Sequence, residues 1–205
     1  MQRLFNEFVT LFVVLDPFST LPVFLALTGG LDAAQARRLA VRAVLIAGAV
    51  LLFFVIAGQA LLQAMGIPLS SFQLAGSVVL FLIGLKMIFG ELHQPGDAGR
   101  PEPEHDPAVF PLAIPSIAGP GTMLTVVLLT DHTHHSIVDQ IETVVEIALV
   151  LLLTLAILFG ARMIVRFVGS SGVNVIGRVM GLVLASLAVH NAVLAMQALQ
   201  LVPRT

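Results

Sequence analysis

The sequence predicts an all-α polytopic membrane protein: six transmembrane helices forming two inverted three-helix repeats, with helices 1 and 4 broken. Three observations carry that expectation. Of 205 residues, 58% are hydrophobic and 11% charged, whereas a soluble domain needs about a quarter of its residues charged to cover its surface. The apolar residues gather into six runs, each near the ~17–25 residues that a bilayer-crossing helix requires. Two of those runs carry the same unusual pair of prolines.

The first run, Leu4–Leu27, ends at Gly29-Gly30, and Leu31–Arg38 forms a short charged loop. The start lacks a small-residue cleavage site, so it reads as a retained helix and not a signal peptide. Leu39–Ala64 follows, then a tight turn at Gly66-Ile67-Pro68 and a third run, Phe72–Gly90. The longest connection, 91–109, reads ELHQPGDAGRPEPEHDPAV. Rich in Pro, Gly and acid, it has little apolar surface to bury and is expected to be a mobile loop. Phe110–Leu129 is the fourth run, and DHTHHSIVDQ separates it from Ile147–Val168. GSSG at 169–172 precedes the sixth, Val179–Val202. The whole chain, 1–205, is one transmembrane domain, with repeat 1 at about 1–90 and repeat 2 at about 110–205.

The basic residues set the expected orientation. Arg3 and Arg204 flank the termini, while Arg37, Arg38, Arg42, Lys86, Arg100, Arg162, Arg166 and Arg178 all fall on odd-numbered loops or their helix ends. Since Lys and Arg concentrate on the cytoplasmic side, the odd loops are cytoplasmic and both termini periplasmic, in the inner (cytoplasmic) membrane. Lys86, Arg162 and Arg166 read as helix-end cations that snorkel. Asn6 and Glu7 are expected at the outer interface.

The repeat rests on DPFSTLP at 16–22 and IPSIAGPG at 114–121. Pro17 and Pro22 stand five apart, as do Pro115 and Pro120. Downstream, SFQLAGSVVLFLIGLKMI matches IGRVMGLVLASLAVHNAV when Gly76 is laid on Gly181. Three helices is an odd number, so the second half is inverted, the plan of many secondary transporters. Proline removes a backbone donor and clashes with the preceding turn. The polar groups it frees are costly in hydrocarbon and persist only when buried in protein or lining a wet cavity. A helix restarting at Gly119-Pro120-Gly121-Thr122 aims its first N–H groups and a positive dipole end into such a cavity, which suits a carboxylate.

The candidate substrate-binding residues are therefore Asp16, Pro17, Ser19 and Thr20 in the first break and Pro115, Ser116, Gly119, Gly121 and Thr122 in the second. Ser19 or Thr20 is expected to cap the restart in the first span. Asp16, near mid-membrane, should face inward with a partner. It would serve as a proton or cation site, as counter-charge for an amine, or as acceptor for the freed N–H groups of its own helix. His190 and Asn191, at similar depth, are candidates for pairing with Asp16 or for a plain helix–helix hydrogen bond. Gly177, Gly181, Gly76 and Gly84 read as close-packing positions.

Other classes are excluded or unsupported. No cysteine is present, which removes disulfides, thiolate metal sites and Cys nucleophiles. Asp131, His132, His134 and His135 crowd into one outer loop without ligand spacing and read as a solvated loop, as do His93 and His105 in theirs. No metal or cofactor is expected. No basic patch supports nucleic-acid binding, and the lack of an HExxH motif or nucleophile elbow argues against an enzyme.

With DPFSTLP, LFLIGLKMIF, FPLAIPSIAGPGT and GVNVIGRVMGLVL, the chain resembles the MarC family of integral membrane proteins over nearly its whole length. The family is similar in plan to the LysE amino-acid exporter superfamily and includes a small neutral amino-acid transporter. The resemblance implies six helices and a transport role; the leading expectation is a secondary transporter of small neutral amino acids or similar solutes, with a proton or sodium ion as the candidate coupling partner. At Ser19 this chain departs from the glycine usual in the family. The alternative function is a non-transporting membrane protein with a structural, assembly or stress-linked regulatory role.

Overall fold

A computed structural model describes residues 2–89, 106–130 and 137–203. Its helices are α1 (Gln2–Leu15), α2 (Pro17–Thr28), α3 (Ala33–Ala64), α4 (Leu69–Phe89), α5 (Pro120–Leu129), α6 (Ile137–Phe159) and α7 (Ala161–Ala198), with a wide-turned proline segment, Ala108–Ile117, ahead of α5. Among the described residues, five stretches are long and apolar enough to cross a membrane: Leu4–Thr28, Ala33–Ala64, Leu69–Phe89, Asp139–Phe159 and Ser171–Ala198. The proline segment and α5 reach that length and hydropathy only together, as a pair bent by 55°, so the spans number five or six.

Local chemistry explains most boundaries. Asp32 starts α3 with a capping box, taking the Gln35 N–H at 2.8 Å while the Gln35 side chain accepts the Asp32 N–H. In the proline segment, Phe110 (φ −129, ψ 129) and Ile114 (φ −126, ψ 125) are extended. Each precedes a proline, whose ring pushes its predecessor out of the helical region. Buried hydroxyls within the spans use their own helix: Thr28, Thr125, Thr130 and Thr154 each donate to the carbonyl four residues back. With no water in the hydrocarbon, that is the cheapest available partner.

The boundaries around the fifth span differ from expectation: α6 begins at Ile137, inside the expected DHTHHSIVDQ connection and ahead of Ile147. The fifth span ends at Phe159 instead of Val168, and Arg162 and Arg166 belong to the next helix. The GSSG stretch is no loop: only Gly169, at φ 72, leaves helical geometry within α7. Arg178 consequently lies seven residues inside the span that begins at Ser171, about 10 Å along the helix, and is exposed. The acidic loop and the outer histidines fall largely outside the described residues. The end of that loop is anchored, however, because Asp106 forms an ion pair with Arg42 on α3.

The tightest helix pairing is α4 with α7. Gly84 and Gly181 meet there, and a Cβ on Gly84 would lie 2.8 Å from the Gly181 carbonyl. Gly177 has nothing within 4 Å, so it does not serve the packing role expected of it. The helix α3 packs on α6, on the proline segment and on α5; α6 packs also on α1 and α2. The proline segment lies on α2, α5 lies on α1 and α4, and α7 lies on α2 and α1. Glu7, expected at the interface, turns inward instead: it is 8% exposed and accepts from Thr143 Oγ1 of α6. Arg162 reaches from α7 to the carbonyls of Thr28 and Leu31. With the Arg42–Asp106 pair, it gathers the first, third and fifth connections on one face, hereafter the arginine face.

Candidate functional site

The two broken spans meet. Between them lies a chamber of about 360 Å³, lined by Asp16, Ser19, Pro115, Ser116, Gly119, Gly121 and Thr122 among others. Pro17 and Thr20 do not line it; both are buried in packing around the break.

At the first break, Asp16 sits in the left-handed region (φ 43, ψ 72), a conformation that Asp and Asn tolerate better than most residues. Its N–H closes α1 on the Phe12 carbonyl at 3.0 Å. Pro17 has no N–H to offer Val13, and the Ser19 N–H turns back to Asp16 Oδ1 at 3.3 Å. Asp16 therefore caps α2 itself. The hydroxyls of Ser19 and Thr20 are not the caps that the sequence suggested; they donate to the Asp16 main-chain carbonyl at 3.0 and 3.4 Å.

The two carboxylate oxygens have different fates. Oδ1 serves the helix, whereas Oδ2 is buried without a hydrogen-bond partner, and the residue is 4% exposed. A bare carboxylate oxygen in hydrocarbon is expensive, which makes Asp16 a candidate functional group. His190 does not pair with it. It is exposed on α7, and neither it nor Asn191 lines the chamber.

At the second break, Gly119 (φ −82, ψ 168) precedes α5 and Pro120 takes the first helical position, where its missing N–H is no loss. The Met123 N–H is satisfied by the Gly119 carbonyl at 3.0 Å. The N–H groups of Gly121 and Thr122 belong to the first turn, which has no intrahelical acceptor for them. The Thr122 hydroxyl is held by the Ile117 carbonyl at 3.3 Å. Gly119 must be glycine, since a Cβ would lie 2.8 Å from the Pro115 carbonyl. The chamber lining thus includes both Asp16, at the carboxyl end of α1, and the amino end of α5, helix ends of opposite polarity.

Sequence reasoning missed the apolar walls. Val14, Leu15, Val23, Leu80, Ile83, Met87 and Leu184 add apolar side chains to the lining. A signal was present on α4, where the buried residues Ser77, Leu80, Gly84 and Met87 recur at helical spacing, with small residues at two of the four positions.

The family model for MarC family integral membrane proteins matches residues 1–199. The chain belongs to that family. It is 34% identical over 190 residues to the UPF0056 inner membrane protein YhgN of Escherichia coli K12, covering 92% of this chain and 93% of the relative. It is 32% identical over 198 residues to the UPF0056 membrane protein MJ1677 of Methanocaldococcus jannaschii, covering 94% and 95%. A UPF0056 membrane protein of Buchnera aphidicola from Schizaphis graminum is 31% identical over 191 residues, covering 92% and 93%. No solved structure matches the chain. This MarC family member is a multi-pass integral membrane protein, and the printed names of its relatives specify no substrate.

Proposed function

We propose that this MarC family protein is a secondary transporter of small neutral amino acids or similar small zwitterions. One observation carries the reading: a chamber between two broken spans is lined both by Asp16, whose Oδ2 has no hydrogen-bond partner, and by the amino end of a helix. The solute carboxylate meets the N–H groups of Gly121 and Thr122, with Ser19 and Ser116 at the sides. Asp16 Oδ2 receives the solute amine or a coupling proton or sodium ion.

The helix pairings support inverted repeats. Exchanging the first three spans for the last three leaves the main partnerships in place: α4 with α7, α3 with α6, and broken span with broken span. The cross pairs also exchange, α3 on the second broken span for α6 on the first, and α4 on α5 for α7 on α2. A two-fold relation between oppositely directed halves requires that pattern. The clustering of Arg37, Arg38, Arg42, Lys86 and Arg162 toward one face supports a cytoplasmic assignment for it, with both termini on the periplasmic side.

Labelled alanine, glycine or serine is expected to enter proteoliposomes holding the purified protein under a proton or a sodium gradient. If all three fail to cross under both gradients, the amino-acid assignment is wrong and a non-transporting role takes its place.

A further inference from the structure

We infer that the chamber is open toward the arginine face and sealed against the opposite face by Leu80 and Leu124, two leucines seated in glycine gaps. The inference concerns access, not substrate, and stands on the lining and on the α4–α5 seam.

The lining is one-sided. In the first span it runs from Val14 at the break to Val23, toward the end of α2 at the arginine face. Along α4 it runs from Leu80 to Met87, toward the same face, and in the fourth span it begins at Pro111 and stops at Thr122. Beyond mid-membrane the space is filled. Val14, Leu80, Met87 and Leu184 of the chamber wall belong to one buried apolar cluster with Val13, Leu124 and Ala188. These last three continue it past the break, do not line the chamber, and have Phe72 and Leu128 beside them.

Leu80 and Leu124 hold that cluster shut. Each is 1% exposed. A Cβ on Gly121 would lie 2.2 Å from Leu80 Cδ2, and a Cβ on Gly76 would lie 2.0 Å from Leu124 Cδ2. The contact is reciprocal: α4 sends Leu80 into the gap at Gly121 of α5, and α5 sends Leu124 into the gap at Gly76 of α4. Gly121 also belongs to the positive helix end that faces the chamber. Parting this seam therefore exposes the polar site to the opposite face, while the closed seam shields it. Packed interfaces of this kind switch between discrete arrangements and do not deform continuously.

The chain has no cysteine, so single cysteines report access directly. Ser116→Cys places a thiol in the chamber wall; Ala34→Cys marks the arginine face and Val202→Cys the opposite one, both positions being exposed. Each is treated with a membrane-impermeant maleimide in right-side-out and in inside-out vesicles. Ser116→Cys is expected to react from the side that labels Ala34→Cys, and about tenfold or more slowly from the other, since a minor open state is populated at ~10% or less. Adding Leu80→Ala, or Gly76→Ala to displace Leu124, is expected to raise the slow rate toward the fast one. Ser116→Cys reacting equally from both sides, or faster from the Val202 side, overturns the inference. So does an unchanged slow rate in both seal variants when they remain monodisperse and react normally from the arginine face. The sidedness reading needs neither variant to fold and no solute, so its outcome is separate from that of the transport assay.

Discussion

The guanidinium of Arg162 donates to the main-chain carbonyl of Leu31 at 2.9 Å, and its same nitrogen reaches the Thr28 carbonyl at 3.2 Å. The Thr28 carbonyl ends α2 and also takes the Leu31 N–H at 3.1 Å, while the Leu31 carbonyl lies in the connection to α3. A helix from the second half thus caps the broken span of the first. Replacing Arg162 with alanine is expected to lower stability in detergent by about 1–2 kcal/mol, the range for a charged donor in a partly wet setting. Arg162→Lys should recover only part of that, since an ammonium lacks the fork. Thermal unfolding of the two variants checks both expectations; equal melting of wild type and Arg162→Ala would show the contact contributes nothing.

Two glycines on α7 give opposite expectations. A Cβ at Gly181 would lie 2.7 Å from Met87 Cβ and 2.9 Å from the Gly84 carbonyl, whereas Gly177 faces open space. Gly181→Ala must force α4 and α7 apart, at about 1–3 kcal/mol for overpacking. Gly177→Ala adds only helix propensity and is expected to be neutral or stabilising by up to ~1 kcal/mol. Melting temperatures that rank the two variants in the reverse order would contradict the packing described for this pair.

These residues also show what was legible in the sequence. The break at Asp16-Pro17 and the restart at Gly119-Pro120 were readable because proline acts on its own neighbours through local sterics. The long apolar helices, five or six spans in all, were readable because a bilayer demands length. The end of the fifth span was misplaced because Arg162 and GSSG resemble a helix end and a loop, although serine and glycine continue a helix once its neighbours support it. Rotation about a helix axis was the larger gap. Leu80 is 1% exposed and Leu184 2%, while Leu82 and Leu182, two residues earlier or later, are 53% and 61% exposed. Nothing in residue type separates a wall of the chamber from a lipid-facing surface; only the partner helix does. The same ambiguity turned His190 toward Asp16 in expectation and outward in the fold.

Asp16 has two roles that substitution can separate. Asn keeps an oxygen for the Ser19 N–H and tolerates φ 43, but it removes the charge carried by the unpartnered oxygen. Asp16→Asn is therefore expected to melt near wild type while losing solute binding. Asp16→Ala removes the cap as well and is expected to lose a further ~1 kcal/mol of stability. Calorimetric titration of alanine, glycine or serine into each detergent-solubilised variant, beside its melting curve, reads both effects. Full solute affinity in a folded Asp16→Asn would confine the carboxylate to the capping role.

The contact between Gly121 and Leu80 allows packing and recognition to be separated at a second position. Gly121→Ala alone should destabilise, because its Cβ would lie 2.2 Å from Leu80 Cδ2 and 3.8 Å from Val14 Cγ1. Leu80→Ala alone should also destabilise, since truncating a buried leucine costs about 2–5 kcal/mol. Together the two changes exchange bulk across one gap, so the double variant should be more stable than the sum of the single losses, with a coupling of about 0.5–3 kcal/mol. Binding should not follow stability: the added methyl stands at the amino end of α5, beside the N–H groups that the solute carboxylate needs. The double variant is therefore expected to melt closer to wild type than Leu80→Ala does and still bind amino acids weakly. A double-mutant cycle in melting, run beside solute titration, measures both; affinity recovering in step with stability would mean that Gly121 serves the packing of α4 on α5 and nothing more.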